Sequence, residues 1–163
     1  MPSVDVVSKV DLQVMDNAIN NVKREIFSRF DFKNIETEIT FDRKAKSIHV
    51  VSGDDMRVKS IIDMLGGQCT RFQLDLKCLD VKEIETVTVD KAKVDILIKE
   101  GIPKETGQKI VKLVKERKVK VQTAIQDDQV RLTGKKIDDL QEIMQLLREQ
   151  DYDVPLQFTN MRS

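Results

Sequence analysis

The periodicity of apolar residues predicts an α+β chain of two successive βαββαβ units, each an antiparallel sheet with two helices on one face. Three observations carry that expectation. Runs of period two and runs of helical period follow one another in the same order twice along the 163 residues. A strand-to-helix junction, Ser52-Gly53-Asp54-Asp55-Met56, returns as Thr133-Gly134-Lys135-Lys136-Ile137. The opening Asp5-Val6-Val7-Ser8-Lys9 is echoed by Asp95-Ile96-Leu97-Ile98-Lys99. These echoes are offset by 81 and 90 residues, so the first copy is expected to be longer by about nine, in its first helix and the loop after it.

Taken in order, Ser3–Val7 reads as a strand. Leu12, Met15, Ile19, Val22 and Ile26 then recur at helical spacing behind Asp11, a natural N-cap. Glu36–Phe41 and Ser47–Val51 alternate in polarity across the polar turn Asp42–Lys46, which predicts a hairpin. A helix from about Asp54 to Leu65 is expected to stop at Gly66-Gly67, since glycine favours helix ends. Residues 70–92 predict one or two strands and a linker.

The second copy begins with Val94–Ile98. Pro103 opens a helix with Ile110, Val111 and Val114 on its apolar face, at a position where the missing N–H costs nothing. Val119–Ile125 and Gln129–Thr133 form a hairpin across Gln126-Asp127-Asp128. Ile137, Leu140, Ile143, Met144 and Leu147 mark a last helix, and Leu156–Asn160 a last strand. This order is that of the tandem ferredoxin-like fold, with residues 1–90 as the first unit and 91–163 as the second. The N-terminal strand has a second option, pairing within the second sheet.

Composition narrows the function. Charged residues make up 34% of the chain and aromatic ones 4%, with no Trp, which argues for a soluble domain and against extensive base stacking. The formal net charge is zero, yet residues 91–136 hold 13 basic and 6 acidic side chains, a local basic field. Cys69 and Cys78 form neither a disulfide framework nor a zinc pattern and are expected to be buried thiols. No signal peptide and no membrane-length apolar run is expected, which points to a cytoplasmic address. His49 has no partner visible in sequence and no nucleophile motif stands out, so neither catalytic residues, metal ligands nor a cofactor are predicted.

Parity along the strands predicts which residues face away from the helices. In the second copy these are Lys99, Lys120, Gln122, Gln126 and Arg131, with Asp95 and Leu97, a polar and basic surface. In the first copy they are Glu38, Thr40, His49 and Val51. Thr133-Gly134-Lys135-Lys136 leads into a helix N-terminus, where free N–H groups favour anions. It reads equally as a plain capped turn, and it lacks the spacing of a P-loop. Lys109, Lys112 and Lys115 form a helical stripe with Arg117, Lys118 and Lys120 beyond it, either a phosphate-tracking ridge or a solvated face. In Arg29-Phe30-Asp31-Phe32-Lys33 both rings are expected in the core, with a stacking site flanked by Arg29 and Lys33 as the alternative. The predicted nucleotide-binding residues are therefore Lys99, Lys120, Gln122, Arg131, Lys135, Lys136, Arg29 and Lys33.

Several segments resemble the YajQ family of bacterial proteins. They are Met1-Pro2-Ser3-Val4-Asp5-Val6-Val7-Ser8, Arg29-Phe30-Asp31-Phe32-Lys33, Lys118-Val119-Lys120-Val121-Gln122, Gly134-Lys135-Lys136-Ile137-Asp138-Asp139-Leu140-Gln141, Leu146-Leu147-Arg148 and Pro155-Leu156-Gln157-Phe158-Thr159-Asn160-Met161-Arg162. The resemblance implies tandem RNP-like (ferredoxin-like) domains and a cytosolic nucleotide-binding protein without established catalysis, for which cyclic di-GMP and transfer RNA are both proposed ligands. The expectation is thus a non-catalytic binder of a nucleotide such as cyclic di-GMP, through the second copy and the cleft between copies. RNA binding is the alternative.

Overall fold

A computed structural model describes all residues 1–163. It is α+β, with four helices and two antiparallel sheets. The elements are β1 (Ser3–Val7), α1 (Leu12–Ser28), β2 (Glu38–Asp42), β3 (Ser47–Ser52), α2 (Asp55–Arg71), β4 (Leu79–Val81), β5 (Glu85–Thr88), β6 (Lys91–Ile98), α3 (Lys104–Glu116), β7 (Val121–Gln126), β8 (Gln129–Gly134), α4 (Ile137–Glu149) and β9 (Gln157–Arg162). Both halves of the sequence keep the βαββαβ order, with β5 as an addition to the first.

The sheets do not follow the sequence halves. One runs β7-β8-β1-β9 and the other β2-β3-β6-β4, with β5 also on β6. Each half has given up its first strand: β1 lies between β8 and β9, and β6 lies beside β3. The compact units are accordingly Met1–Lys9 with Glu100–Ser163, and Val10–Lys99, rather than 1–90 and 91–163. Physically, the exchange is permitted because the two first strands present the same pattern. Val4 and Val6 occupy one core, and Val94 and Ile96 fill the same role in the other.

In the unit of residues 10–99, Met15, Ile19 and Val22 of α1 and Val58, Ile61 and Leu65 of α2 close over Ile48, Val50, Val94 and Ile96. In the other unit, Ile110 and Val114 of α3 and Leu140, Ile143 and Leu147 of α4 cover Val4, Val6, Val130 and Leu132. The expected surplus of the first half is present. Helix α1 has 17 residues against 13 in α3, and residues 29–37 form a nine-residue connection where 117–120 suffice in the second half.

Gly66-Gly67 does not end the second helix. Helix α2 continues to Arg71, because Cys69 on its next turn is fully buried and core packing outweighs roughly 1 kcal/mol of lost propensity per glycine. The helix ends instead where Gln73 takes a left-handed conformation and the Leu74 N–H returns to the Cys69 carbonyl. In the other unit, Gly101 has φ +89, and a Cβ there would meet Asp128 Oδ2 at 2.8 Å, so glycine is required.

Candidate anion-binding site

The unit of residues 1–9 and 100–163 carries an open groove of about 720 Å³ where α3 leads into β7 and β8 leads into α4. Arg117, Lys118 and Lys120 come from the connection before β7, Gln122 from that strand, and Thr133, Lys135 and Lys136 from the junction before α4. Asp139 and Glu142 are the carboxylates of the lining, so five cations face two anions. None of the five cations is held in an ion pair. The connection is tight: Lys118 has φ 54, and its N–H bonds the Lys115 carbonyl at 3.2 Å. The fold thus brings Lys118 and Lys120 beside Lys135 and Lys136, two pairs separated by a strand pair in sequence.

At the mouth of α4 the N-cap is Lys136, which has no side-chain oxygen to accept a first-turn N–H. An uncapped first turn leaves donors for an external anion, and the macrodipole adds to the attraction. Asp138 and Asp139 occupy that turn and partly offset the field. What the arrangement can do is hold phosphate oxygens, with lysine charges from two loops and N–H donors from one helix end.

The predicted residues divide accordingly. Lys120, Gln122, Lys135 and Lys136 converge on this groove. Arg131 lies on β8 but is committed to Asp5 through Nε at 2.8 Å and Nη2 at 3.3 Å, while Asn160 bonds the same carboxylate at 3.0 Å. That guanidinium is the main reason the Asp5 carboxyl is held below the usual range. Lys99 follows β6 and so belongs to the other unit, as do Asp95 and Leu97; strand exchange overturns that part of the predicted basic face. Arg29 is chelated by Asp31 at 3.0 and 2.8 Å and sits 5.6 Å from the Phe32 ring. Lys33 lines a different groove, beside Phe27. The two rings of that segment separate: Phe32 is in the core, whereas Phe30 is 87% exposed.

Arg117, Lys118 and Met1 also line the groove and were not among the predicted nucleotide-binding residues. The lysine stripe on α3 pointed to Arg117 and Lys118, since both directly follow it in sequence. Two other expectations resolve plainly. His49 does have a partner, Asp95, which lies directly opposite it on β6, with Ser47 Oγ 3.5 Å from the other ring nitrogen. Cys69 and Cys78 are buried, and burial pushes their thiols up to about 12 and about 11.

Two ferredoxin-like units, one of them with a cationic groove at a strand-to-helix junction, place the chain among small tandem-domain α+β proteins with a basic surface groove. Comparison with known proteins then gives the family. The family described as "Nucleotide-binding protein YajQ-like" matches residues 2–162, and the chain belongs to it. "Nucleotide-binding protein DET1318" of Dehalococcoides mccartyi is 56% identical over 162 residues, 99% of each chain. Proteins named "Nucleotide-binding protein" from Nitratidesulfovibrio vulgaris (strain DSM 19637 / Miyazaki F) and Syntrophotalea carbinolica are 55% and 46% identical, each over the full length of both chains. No helix is long and apolar enough to cross a membrane.

Proposed function

We propose that the protein is a cytosolic, non-catalytic nucleotide binder that grips the phosphates of its ligand in the groove of Lys118, Lys120, Lys135 and Lys136. The observation that carries this reading is the convergence of five cations without ion-pair partners at the uncapped end of α4. Charge without a partner is available to a ligand, whereas Arg29 and Arg131 are already satisfied. The names of the relatives support the same class of ligand.

A dinucleotide such as cyclic di-GMP suits the groove, whose volume of about 720 Å³ exceeds the needs of one phosphate. RNA is the second reading. Lys109, Lys112 and Lys115 are exposed along α3 and end where Arg117 and Lys118 enter the groove, so a longer phosphate backbone has a track to follow.

Titrating the protein side by side with cyclic di-GMP, a mononucleotide and transfer RNA at several salt concentrations separates these readings. Each phosphate neutralised lowers log K by about 0.7–0.9 per log unit of salt. A dinucleotide therefore gives a shallow slope and an RNA track a steep one. Tight, steeply salt-dependent RNA binding with no affinity for free nucleotides would overturn the leading reading in favour of the second.

A further inference from the structure

The unit of residues 10–99 has a surface of opposite character at the position corresponding to the cationic groove. In both units the second strand of the βαββαβ order, β2 or β7, forms an edge of its sheet. Beside β7 stand lysines. Beside β2 stand apolar side chains, contributed by the extra length of α1 and by residues 29–37.

A groove of about 580 Å³ runs there, lined by Ile26 and Phe27 from the last turns of α1, by Ile35, and by Ile39 of β2. Phe27 is 94% exposed, and nearby Phe30 is 87% exposed, in a chain with only six Phe residues. Exposed rings next to an apolar groove mark an interaction surface, because leaving them in water gains nothing for the fold. Strand β2 pairs with β3 on one side only. Every second residue of such an edge therefore offers its N–H and C=O to another chain. Lys23 and Lys33 also line the groove, neither in an ion pair, against the single carboxylate of Glu38.

An unpaired strand edge beside an apolar groove is the combination that recognises extended peptides by strand addition. The main chain supplies hydrogen bonds, and alternate side chains fall into the groove. We propose that this groove binds an extended segment of a partner protein, added antiparallel or parallel to β2, with apolar side chains at alternate positions and a carboxylate for Lys23 and Lys33. A helical partner would leave the edge of β2 unused. Since the groove lies in the unit that lacks the cationic site, this proposal stands apart from nucleotide binding.

The test uses the full chain, isotope-labelled for NMR, and a short amidated peptide that alternates valine and threonine between terminal aspartates. Saturable shifts confined to the amides of residues 37–42 and to Phe27, slowed exchange of β2 amides, and cross-peaks between the two backbones are expected. Phe27→Ala should weaken binding about tenfold with an unchanged melting temperature, since the ring is almost fully exposed. A peptide ending in lysines should bind more weakly than the aspartate form. Absence of shifts along β2, equal affinity for parent and Phe27→Ala, or binding of the peptide as a helix would each overturn the proposal.

Discussion

The two strand-to-helix junctions, Ser52-Gly53-Asp54-Asp55 and Thr133-Gly134-Lys135-Lys136, share one pattern and differ in charge and in capping. At the first, both aspartates are answered from within. Asp54 accepts the Arg57 N–H at 2.8 Å and pairs with the Arg57 guanidinium, and Asp55 pairs with Lys59 at 3.0 Å. The longer connection 29–37 packs onto it: Arg57 Nε bonds the Asp31 carbonyl at 2.9 Å, and Ile35 lies against Gly53 so closely that a Cβ there would clash at 2.9 Å. At the second junction the cap has no acceptor, the lysines have no ion-pair partners, and the four-residue connection leaves a groove open. Where the chain satisfies its own helix end it builds stability. Where it does not, it leaves cations and helix-end donors open, the feature on which the proposed phosphate site rests.

The exchanged first strands repeat the lesson on the sheets. Asp5 lies opposite Arg131, and Asp95 opposite His49. The first pair has a carboxylate only 7% exposed, while both members of the second are about half exposed. Asp5→Ala should therefore cost the most of the fold variants, about 2 kcal/mol, because a buried carboxylate with two partners is lost. Its pH dependence has a definite sign. The folded-state carboxyl is held below its ordinary value, so the contribution is complete above about pH 4 and is lost as pH falls through the lowered value. Denaturant unfolding of parent and variant should show a gap at neutral pH that narrows in acid.

Asp54→Ala comes next, at about 1 kcal/mol, for the loss of an N-cap and a partly exposed pair. Thermal melts should register it, whereas Lys136→Ala at the matching cap should leave the melting temperature essentially unmoved. The smallest effect belongs to Asp95→Asn. Its pair with His49 is open to water, and a surface pair of this kind contributes under about 1 kcal/mol. If Asp95→Asn destabilises more than Asp5→Ala, the contrast between the two pairs fails.

Most of the fold was legible in the sequence because periods of two and 3.6 report burial directly. The order of elements, the duplication and its surplus near residues 29–37 all follow from spacing. Strand exchange was less legible. Asp5-Val6-Val7 and Asp95-Ile96-Leu97 have the same pattern and fit either core, so local sequence does not choose between sheets. That ambiguity put Lys99 in the wrong unit and hid the partner of His49. Four of the eight predicted binding residues, Lys120, Gln122, Lys135 and Lys136, share the groove because short segments on one hairpin and its flanks must stay together. Arg131 is taken up by Asp5, whose distance in sequence hides the pairing, and Arg29 lies in the other unit, already held by Asp31. Phe27 went unnoticed because a lone aromatic residue near a helix end looks like any other apolar position until its exposure is known.

Whether the junction at residues 133–136 binds phosphate, as proposed, is decided by reversing its charge. Lys135→Asp/Lys136→Asp reproduces the acidic character of the first junction, and acidic residues suit a helix N-terminus. The melting temperature is expected to stay close to that of the parent. Affinity for cyclic di-GMP, read by calorimetry at fixed salt, should fall by about ten- to a hundredfold, the equivalent of one or two charge-assisted contacts. Undiminished affinity in a folded double variant would overturn the proposed phosphate site and leave the junction a solvated turn.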